Sequence, residues 1–383
     1  MSSRNGLNGM SYKKLVVISH TPHQQLPDGT FIGWGPTLAE INYLSNYWGE
    51  IVHIACLEPF SSNPSLQPYQ NDNIELAFIP SYGGRSLWEK LSVFYLAPQI
   101  IYKILSNLKG ATHIQIRVPM GIGIYVLPLF LFIPRRFILW VKYANNWQHV
   151  SSSLGYRFQR WFLKQNFLQC KVTMNGFWPN QESHCLSFEN PSFTNDQVDL
   201  KKEKKNFSGK LKMIFIGRLE SAKGIDLIID MLEKWPLERI EEWIFVGDGE
   251  LHEALRKVIK RHNINARFLG FISQSDVLQA LNEAHVLLLP SKSEGFPKVV
   301  SEAWVHGVIP IVSSVGSIPH YVKNDENGFL MNELSAYSLH NALVTCLNAT
   351  EEKLNYISEN GRQMAQQFTF ERYVQRLKTE VFV

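Results

Sequence analysis

Two glutamates eight positions apart, Glu294 and Glu302, stand in the stretch SKSEGFPKVVSEAW (291–304), directly after the apolar run HVLLLP. Gly295 and Pro297 separate the first glutamate from what reads as a helix start. Glycine lets backbone approach a ligand closely, and proline suits the first turn of a helix. Glu294 then projects from a strand end, and the amides of Lys298, Val299 and Val300 open the first helical turn. Glu302 falls in the second turn, and helical side chains lean back toward the helix start. Both carboxylates therefore reach one ligand from two depths. A carboxylate accepts two hydrogen bonds and suits a vicinal diol, as in a ribose or a sugar ring. Taken alone, the pair is better read as a helix-start acid matching the dipole and a solvated helix face.

Upstream, FIGRLESAKGIDL places Arg218 just after an apolar strand and Lys223 five residues on, before a helix. An arginine fork and a lysine point charge in that position can clamp a diphosphate. The free N–H groups and dipole of the helix start favour the same ligand. The plainer alternative is two solvated loop cations.

These groups need strand ends and helix starts to hold them, and the sequence supplies a regular series of both. KKLVVISH (13–20), EIVHIACL (50–57), NIELAFIP (73–80), THIQIRV (112–118), RFILWVKY (136–143) and KVTMNG (171–176) read as strands. TPHQQLPDGTFIGWG reads as a loop, and helical spacing follows from Pro36, over 86–108 with a break near Pro98, and over 154–169. A polar, turn-rich linker, DLKKEKKNFSGK (199–210), leads to a second series. Its strands are 211–217, 241–247, 266–271, 285–290 and 308–314, and its helices 224–235, 251–262, 273–284 and 297–307. Strands alternating with helices imply parallel sheets covered on both faces. Two such series imply two doubly wound α/β domains facing a cleft, residues 1–198 and 210–368, with a terminal helix at 369–383 packing back on the first. The charge-free segment 118–134 is short for a membrane span and reads as a buried helix.

Composition agrees. The chain has 383 residues, 45% hydrophobic and 19% charged, enough for two ordinary cores and unlike a disordered chain. Cys56, Cys170, Cys185 and Cys346 lie far apart with no CxxC, which argues against a disulfide scaffold or zinc cluster. The polar start lacks an apolar signal core, so a cytoplasmic location is expected. Net charge is only +4, yet twelve Lys/Arg face a single acid, Glu89, between Arg85 and Lys171. Such a field suggests an anionic partner, unless acids elsewhere balance it in space. In LGYRFQRWFLKQNF (154–167), Arg157, Arg160 and Lys164 mix with Tyr156, Phe158, Trp161, Phe162 and Phe167. That mixture suits a headgroup boundary or a lipid-linked diphosphate. It also suits a core helix with its basic face in water. No nucleic-acid-binding motif accompanies the charge, so nucleic acid is not an expected partner.

The segments FIGRLESAKGIDLII, FVGDGEL, FLGFIS, LLLPSKSEGFPKVVSEAWVHG and SVGSIPHYVKNDENGFL, in this order, closely resemble the nucleotide-sugar domain of family 4 glycosyltransferases. These are retaining enzymes of the GT-B architecture, two Rossmann-like domains facing a cleft. The resemblance is strong over about 211–335 and weak in the first domain, where it rests on KKLVVISH and the Gly33–Gly35 loop. It places the family's paired-glutamate motif on Glu294 and Glu302. By this resemblance Glu302 holds the donor's ribose hydroxyls and Glu294 contacts the donor sugar. Arg218 and Lys223 hold the diphosphate and stabilise the leaving nucleotide, making Arg218, Lys223 and Glu294 the catalytic set. Gly35, Gly217, Phe271, Ile272, Gly295, Phe296, Pro297, Lys298 and Val299 would line the donor site with Glu302, the base lying near 270–272.

The implied reaction is hexosyl transfer from a nucleoside diphosphate sugar, with UDP or GDP the expected nucleotide. It needs no cofactor and no metal. The implied acceptor is a lipid-linked or growing surface glycan of polysaccharide biosynthesis, with an anionic membrane surface as a further partner. Two departures stand out. Where many members carry an acid after Ile-Pro, this chain has His320, and where many carry a first-domain histidine it has Tyr143, Ala144, Asn145 and Asn146. His20, Tyr143 and Asn145 are the candidate cleft residues in its stead. A nucleotide-sugar epimerase and a non-catalytic nucleotide-sugar binding module remain open on the same architecture. A dehydrogenase is disfavoured, because VGDGEL has His252 where the third glycine of GxGxxG belongs.

Overall fold

The computed structural model describes residues 12–60, 66–84, 86–148, 153–199, 204–235, 237 and 239–383. The polar N-terminal segment through Ser11, Arg85 of the basic stretch and linker residues 200–203 lie outside the described residues. The first domain runs β1 (Tyr12–Gln25), β2 (Phe31–Trp34), α1 (Gly35–Leu44), β3 (Trp48–Leu57), β4 (Leu66–Pro68), β5 (Ile74–Pro80), α2 (Leu87–Tyr95) and α3 (Ala97–Asn107). It continues with β6 (His113–Val118), α4 (Gly123–Leu129), β7 (Ile138–Tyr143), α5 (Leu154–Lys164), β8 (Lys171–Asn175), β9 (Cys185–Phe188) and α6 (Asn195–Asp199). Apolar strands such as LVVI and IVHIAC are buried on both faces, so they pair in parallel, in the order β5-β3-β1-β6-β7-β8-β9. β2 runs antiparallel to the far end of β1, and β4 antiparallel to β2.

Three elements differ from their sequence reading. The stretch read as a loop after His20 extends β1 and turns into β2, with His23 opposite Gly33. Periodicity missed it because the inward positions are polar: buried His23 bonds the Thr21 carbonyl and the Tyr69 hydroxyl. Helix α5 stops at Lys164, short of 169, where Asn166 and Gln169 take left-handed backbone at φ 53° and 43°. Within 118–134 only the seven residues of α4 are helical, and Leu131 and Phe132 are exposed. No helix among the described residues is long and apolar enough to cross a membrane.

The second domain runs β10 (Leu211–Ile216), a 3-10 turn (Ser221–Lys223), α7 (Ile225–Lys234), β11 (Ile240–Val246), α8 (His252–Arg261), β12 (Ala266–Gly270) and α9 (Gln274–Glu283). There follow β13 (Val286–Leu289), α10 (Lys298–Val305), β14 (Ile309–Ser313), α11 (Ile318–Tyr321), β15 (Phe329–Met331), α12 (Ala336–Asn348) and α13 (Glu351–Ala365). Its sheet is wholly parallel in the order β12-β11-β10-β13-β14-β15. The chain then crosses back. In α14 (Phe370–Arg376) and the π turn Leu377–Val381, the residues Tyr373, Val374, Leu377 and Val381 share a core with Leu15, Val17, Ile41 and Trp140 of the first domain.

Candidate active site

Strand order reverses between β10 and β13, and in such sheets ligands bind beyond the carboxyl ends at the reversal. The loops leaving these two strands carry the residues singled out by sequence. Lys223 closes the 3-10 turn, and its Nζ lies 2.6 Å from Glu294 Oε1 across the gap between the strands. Arg218 follows Gly217, but its side chain is 71% exposed and reaches Glu220 Oε2 at 2.8 Å. Lys292, which the sequence reading passed over, donates to Ser221 and Asp226 at 2.6 Å each. Gly316 fixes the glutamate loop. Its φ is +58°, and an added Cβ would stand 1.9 Å from the Glu294 carbonyl oxygen. Ser317 completes the clamp, its backbone N–H and hydroxyl donating to the Gly295 carbonyl at 3.0 and 2.8 Å.

Helix α10 starts after Pro297 at Lys298, whose Nζ donates to the Pro36 carbonyl of the first domain at 3.4 Å. Glu302 is half-buried and accepts from Gln274 Nε2 at 3.4 Å. Burial raises its pKa above the ordinary glutamate value, with Lys298 and Gln274 opposing. Burial lowers the pKa of Lys298, with Glu40 and Glu302 opposing. The two glutamates thus share the crevice but have separate partners. Phe271 is exposed beyond β12, while Ile272 and Val299 rest against the core. Phe296 departs from its donor-site expectation. Its ring is buried and stacks on Phe368 at 4.6 Å, so only its backbone faces the crevice loop.

The first domain closes the other wall. Gly35 is buried at the start of α1. His20 is exposed at a register shift within β1, its ring 4.8 Å from Tyr82. Asn145 is exposed, and its carbonyl lies 3.6 Å from where a Gly295 Cβ would stand, so the two walls meet there. Asn146 bonds Ser293 across the same gap at 3.1 Å. Tyr143 does not line the cleft: it is 1% exposed, accepts from Arg160 and packs edge-on to Trp147. His320 stacks on Phe177 of the first domain, ring centroids 3.7 Å apart.

Residues 196–364 match the family model described as Glycosyl transferases group 1. The second domain belongs to this family. An Escherichia coli UDP-Gal:alpha-D-GlcNAc-diphosphoundecaprenol alpha-1,3-galactosyltransferase is 33% identical over 139 residues, 36% of this chain and 35% of that enzyme. The Bacillus anthracis N-acetyl-alpha-D-glucosaminyl L-malate synthase is 25% identical over 187 residues, 49% of each chain. The chain thus matches half or less of the length of these curated relatives. Among solved structures, Anabaena HepE in complex with UDP and glucose superposes with a TM-score of 0.66 at 17% identity, covering 95% of this chain and 98% of that one. Sucrose-phosphate synthase from Thermosynechococcus elongatus gives 0.65 at 17% identity, covering 96% and 97%. At these identities the likeness shows the fold, which is GT-B.

One cluster beside the group 1 glycosyltransferase domain was missed from sequence. Glu40 of α1 is buried, with Lys142 Nζ at 2.6 Å, Arg117 at 2.9 Å and the Tyr373 hydroxyl at 3.0 Å. Burial alone would raise its carboxyl, but Arg117 and Lys142 hold it well below the usual glutamate range. The signal was present in ILWVKY: a lysine inside a buried apolar strand demands a counter-charge.

Proposed function

We propose that this protein transfers a hexosyl group from a UDP- or GDP-linked sugar to a glycan or lipid-linked acceptor, with retention of anomeric configuration. The reading rests on the Lys223–Glu294 ion pair at the strand reversal, with Glu302 in the second turn of α10. A donor diphosphate competes with Glu294 for Lys223, and the exposed Arg218 swings from Glu220 to meet it. Its negative charge grows as the sugar C1–O bond breaks. The two cations and the first-turn amides of α10 stabilise that charge from fixed positions. Glu302 accepts from the ribose hydroxyls, and Glu294, released from Lys223, accepts from the sugar. No cofactor or metal enters this scheme, and no protein nucleophile is assigned. The relatives support the substrate class: one takes UDP-Gal to a diphosphoundecaprenol acceptor, and the HepE structure holds UDP and glucose.

The acceptor half of the proposal draws on a second observation. Trp88 and Phe94 on α2, Tyr102 on α3 and Phe132 after α4 are exposed. On α5, Leu154, Arg157, Trp161 and Lys164 are exposed at helical spacing. Aromatics and cations on neighbouring helices suit peripheral contact with the cytoplasmic face of an anionic membrane, at about 1 kcal/mol per basic residue. Fewer cations are free than the sequence count suggests, because Arg117 and Lys142 serve Glu40. Incubation with labelled UDP- and GDP-hexoses and lipid-linked acceptors tests the transfer. Release of nucleoside diphosphate with labelled acceptor supports it. An epimerised donor, or tight binding without turnover, overturns it in favour of an epimerase or a binding module. Flotation with anionic and neutral vesicles tests the surface, and equal failure to bind both at low salt overturns membrane contact.

A further inference from the structure

Behind Glu302, away from the Lys223–Glu294 pair, a cavity of about 550 Å³ opens where both interdomain crossings of the chain meet. Its volume lies within the range of roughly 300–1,000 Å³ typical of small-molecule sites. Four parts of the molecule wall it: α1 and the strand-β4 segment of the first domain, the connector Ser192–Gln197, helices α9 and α10, and Phe370 of α14. Its lining is chemically narrow. Asn42, Asn46, Gln67, Gln70 and Asn71 come from the first domain, Gln197 from the connector and Gln274 from the second. Glu302 is the sole acid bordering the cavity, and among the described residues no lysine or arginine borders it, although the chain holds 38 of them. Tyr43, half-buried and stacked on Phe370 at 5.0 Å, supplies a flat wall.

We propose that this cavity binds a neutral sugar, separately from the reacting centre. The chemistry excludes the other occupants. A phosphate or carboxylate ligand would meet a carboxylate and no lysine or arginine, and the one imidazole on the wall, His306, is buried with its Nδ1 on Asn282 Oδ1, so anions are disfavoured. A lipid chain would strip water from these seven carboxamides without satisfying them, which is costly. Carboxamides offer both donor and acceptor atoms, as sugar hydroxyls do, and an aromatic ring matches the apolar face of a pyranose. Several carboxamides are already held in place. Asn42 Oδ1 accepts from the Gln70 backbone N–H at 3.1 Å, and Asn71 Nδ2 donates to the Asn42 carbonyl at 3.1 Å and to Ser45 Oγ at 2.6 Å. Because the bound sugar touches both domains and the connector, it favours the arrangement of domains seen here. Through Gln274, which donates to Glu302 at 3.4 Å, its occupancy is felt at the proposed ribose contact. This last coupling rests on the donor reading; the sugar site does not.

The experiment is ligand-observed saturation-transfer NMR on the full chain, without nucleotide, using glucose, galactose and N-acetylglucosamine as probes. At least one sugar should show transfer. Gln67→Ala with Gln70→Ala, both outside the proposed catalytic and donor machinery, should weaken it roughly tenfold, two hydrogen bonds being lost. Arg218→Ala should leave it unchanged. No transfer from any of the three sugars overturns the proposal. Transfer that survives the glutamine pair but is lost in Arg218→Ala overturns it as well, since the sugar would then sit in the donor crevice. The donor reading stands or falls separately, on nucleotide-sugar affinity in Arg218→Ala.

Discussion

In the first domain, Lys142 at the end of β7 is buried, Arg117 at the end of β6 is largely so, and both turn onto Glu40, which also accepts from Tyr373. In the second, Arg218, Lys223 and Lys292 follow β10 and β13 on partly or largely solvated side chains, each with a nearby acid. Glu40 and its partners form a closed set. Ser19, His53, Tyr69 and His23 make another, bonded in sequence at 2.7, 2.6 and 2.7 Å. A closed, buried set is expensive to open, whereas a solvated pair can exchange one partner for a ligand at little cost. The same residue types therefore hold one domain together and leave the other ready to bind.

The sharpest way to break this comparison is Glu40→Ala. It leaves Lys142 and Arg117 buried without their counter-charge, and stability should fall by about 3–5 kcal/mol in denaturant unfolding. A loss below about 1 kcal/mol would place Glu40 with the replaceable pairs. The effect carries a pH signature. A carboxyl held below its unfolded value stabilises the fold above the unfolded glutamate pKa, and that stability drains away as pH falls below about 4.3. Glu40→Gln should flatten this acid limb.

In the second domain the balance should invert. Arg218→Ala and Glu302→Ala should each weaken nucleotide-sugar binding by about 1.5–3 kcal/mol in calorimetry while unfolding is nearly unchanged. A third measurement sharpens the role of Glu302. Burial holds its pKa above the ordinary value, and only the ionised form accepts two hydroxyls. Donor affinity should thus decline as pH falls through a range above that of a free glutamate, and Glu302→Gln should bind weakly but without the decline. The smallest expected effect is Lys234→Ala on α7, whose exposed partner is Asp230 at 2.7 Å. Breaking that pair should cost about 0.3–0.5 kcal/mol, and a larger loss would show that surface pairs also bear on this fold.

The strand–helix alternation of the second domain was legible because each strand is apolar throughout and each helix amphipathic. Its loops were legible because Gly, Pro and charge cluster at the strand ends. Side-chain direction was not. Phe296 and Tyr143 sit beside crevice residues in sequence, yet both turn into cores, one onto Phe368 and the other onto Trp147. Their partners lie 72 and 4 residues away, and only the distant contact explains Phe296. The β1–β2 turn and the Glu40 cluster were hidden for a common reason. Both bury polar groups whose partners are remote, Tyr69 for His23 and Tyr373 for Glu40, and hydrophobic periodicity sees only apolar burial.

The return of α14 to the first domain has a consequence for how the molecule is made. Synthesis delivers residues in order, so Leu15, Val17 and Trp140 leave the ribosome long before Tyr373 and Leu377 arrive to cover them. The second domain, contiguous from β10 to α13, has its sheet and helices in hand earlier and can close before that cover arrives. The main core of the first domain, from Val16 to Cys185, needs none of these late residues, so it is the strip around Leu15, Val17 and Trp140 that waits for the end of the chain. Meanwhile the nascent first domain carries an uncovered apolar strip and a Glu40 without its tyrosine. Chains cut short of Tyr373 keep that strip permanently, which marks them for chaperone capture even when every residue of the proposed donor crevice is present.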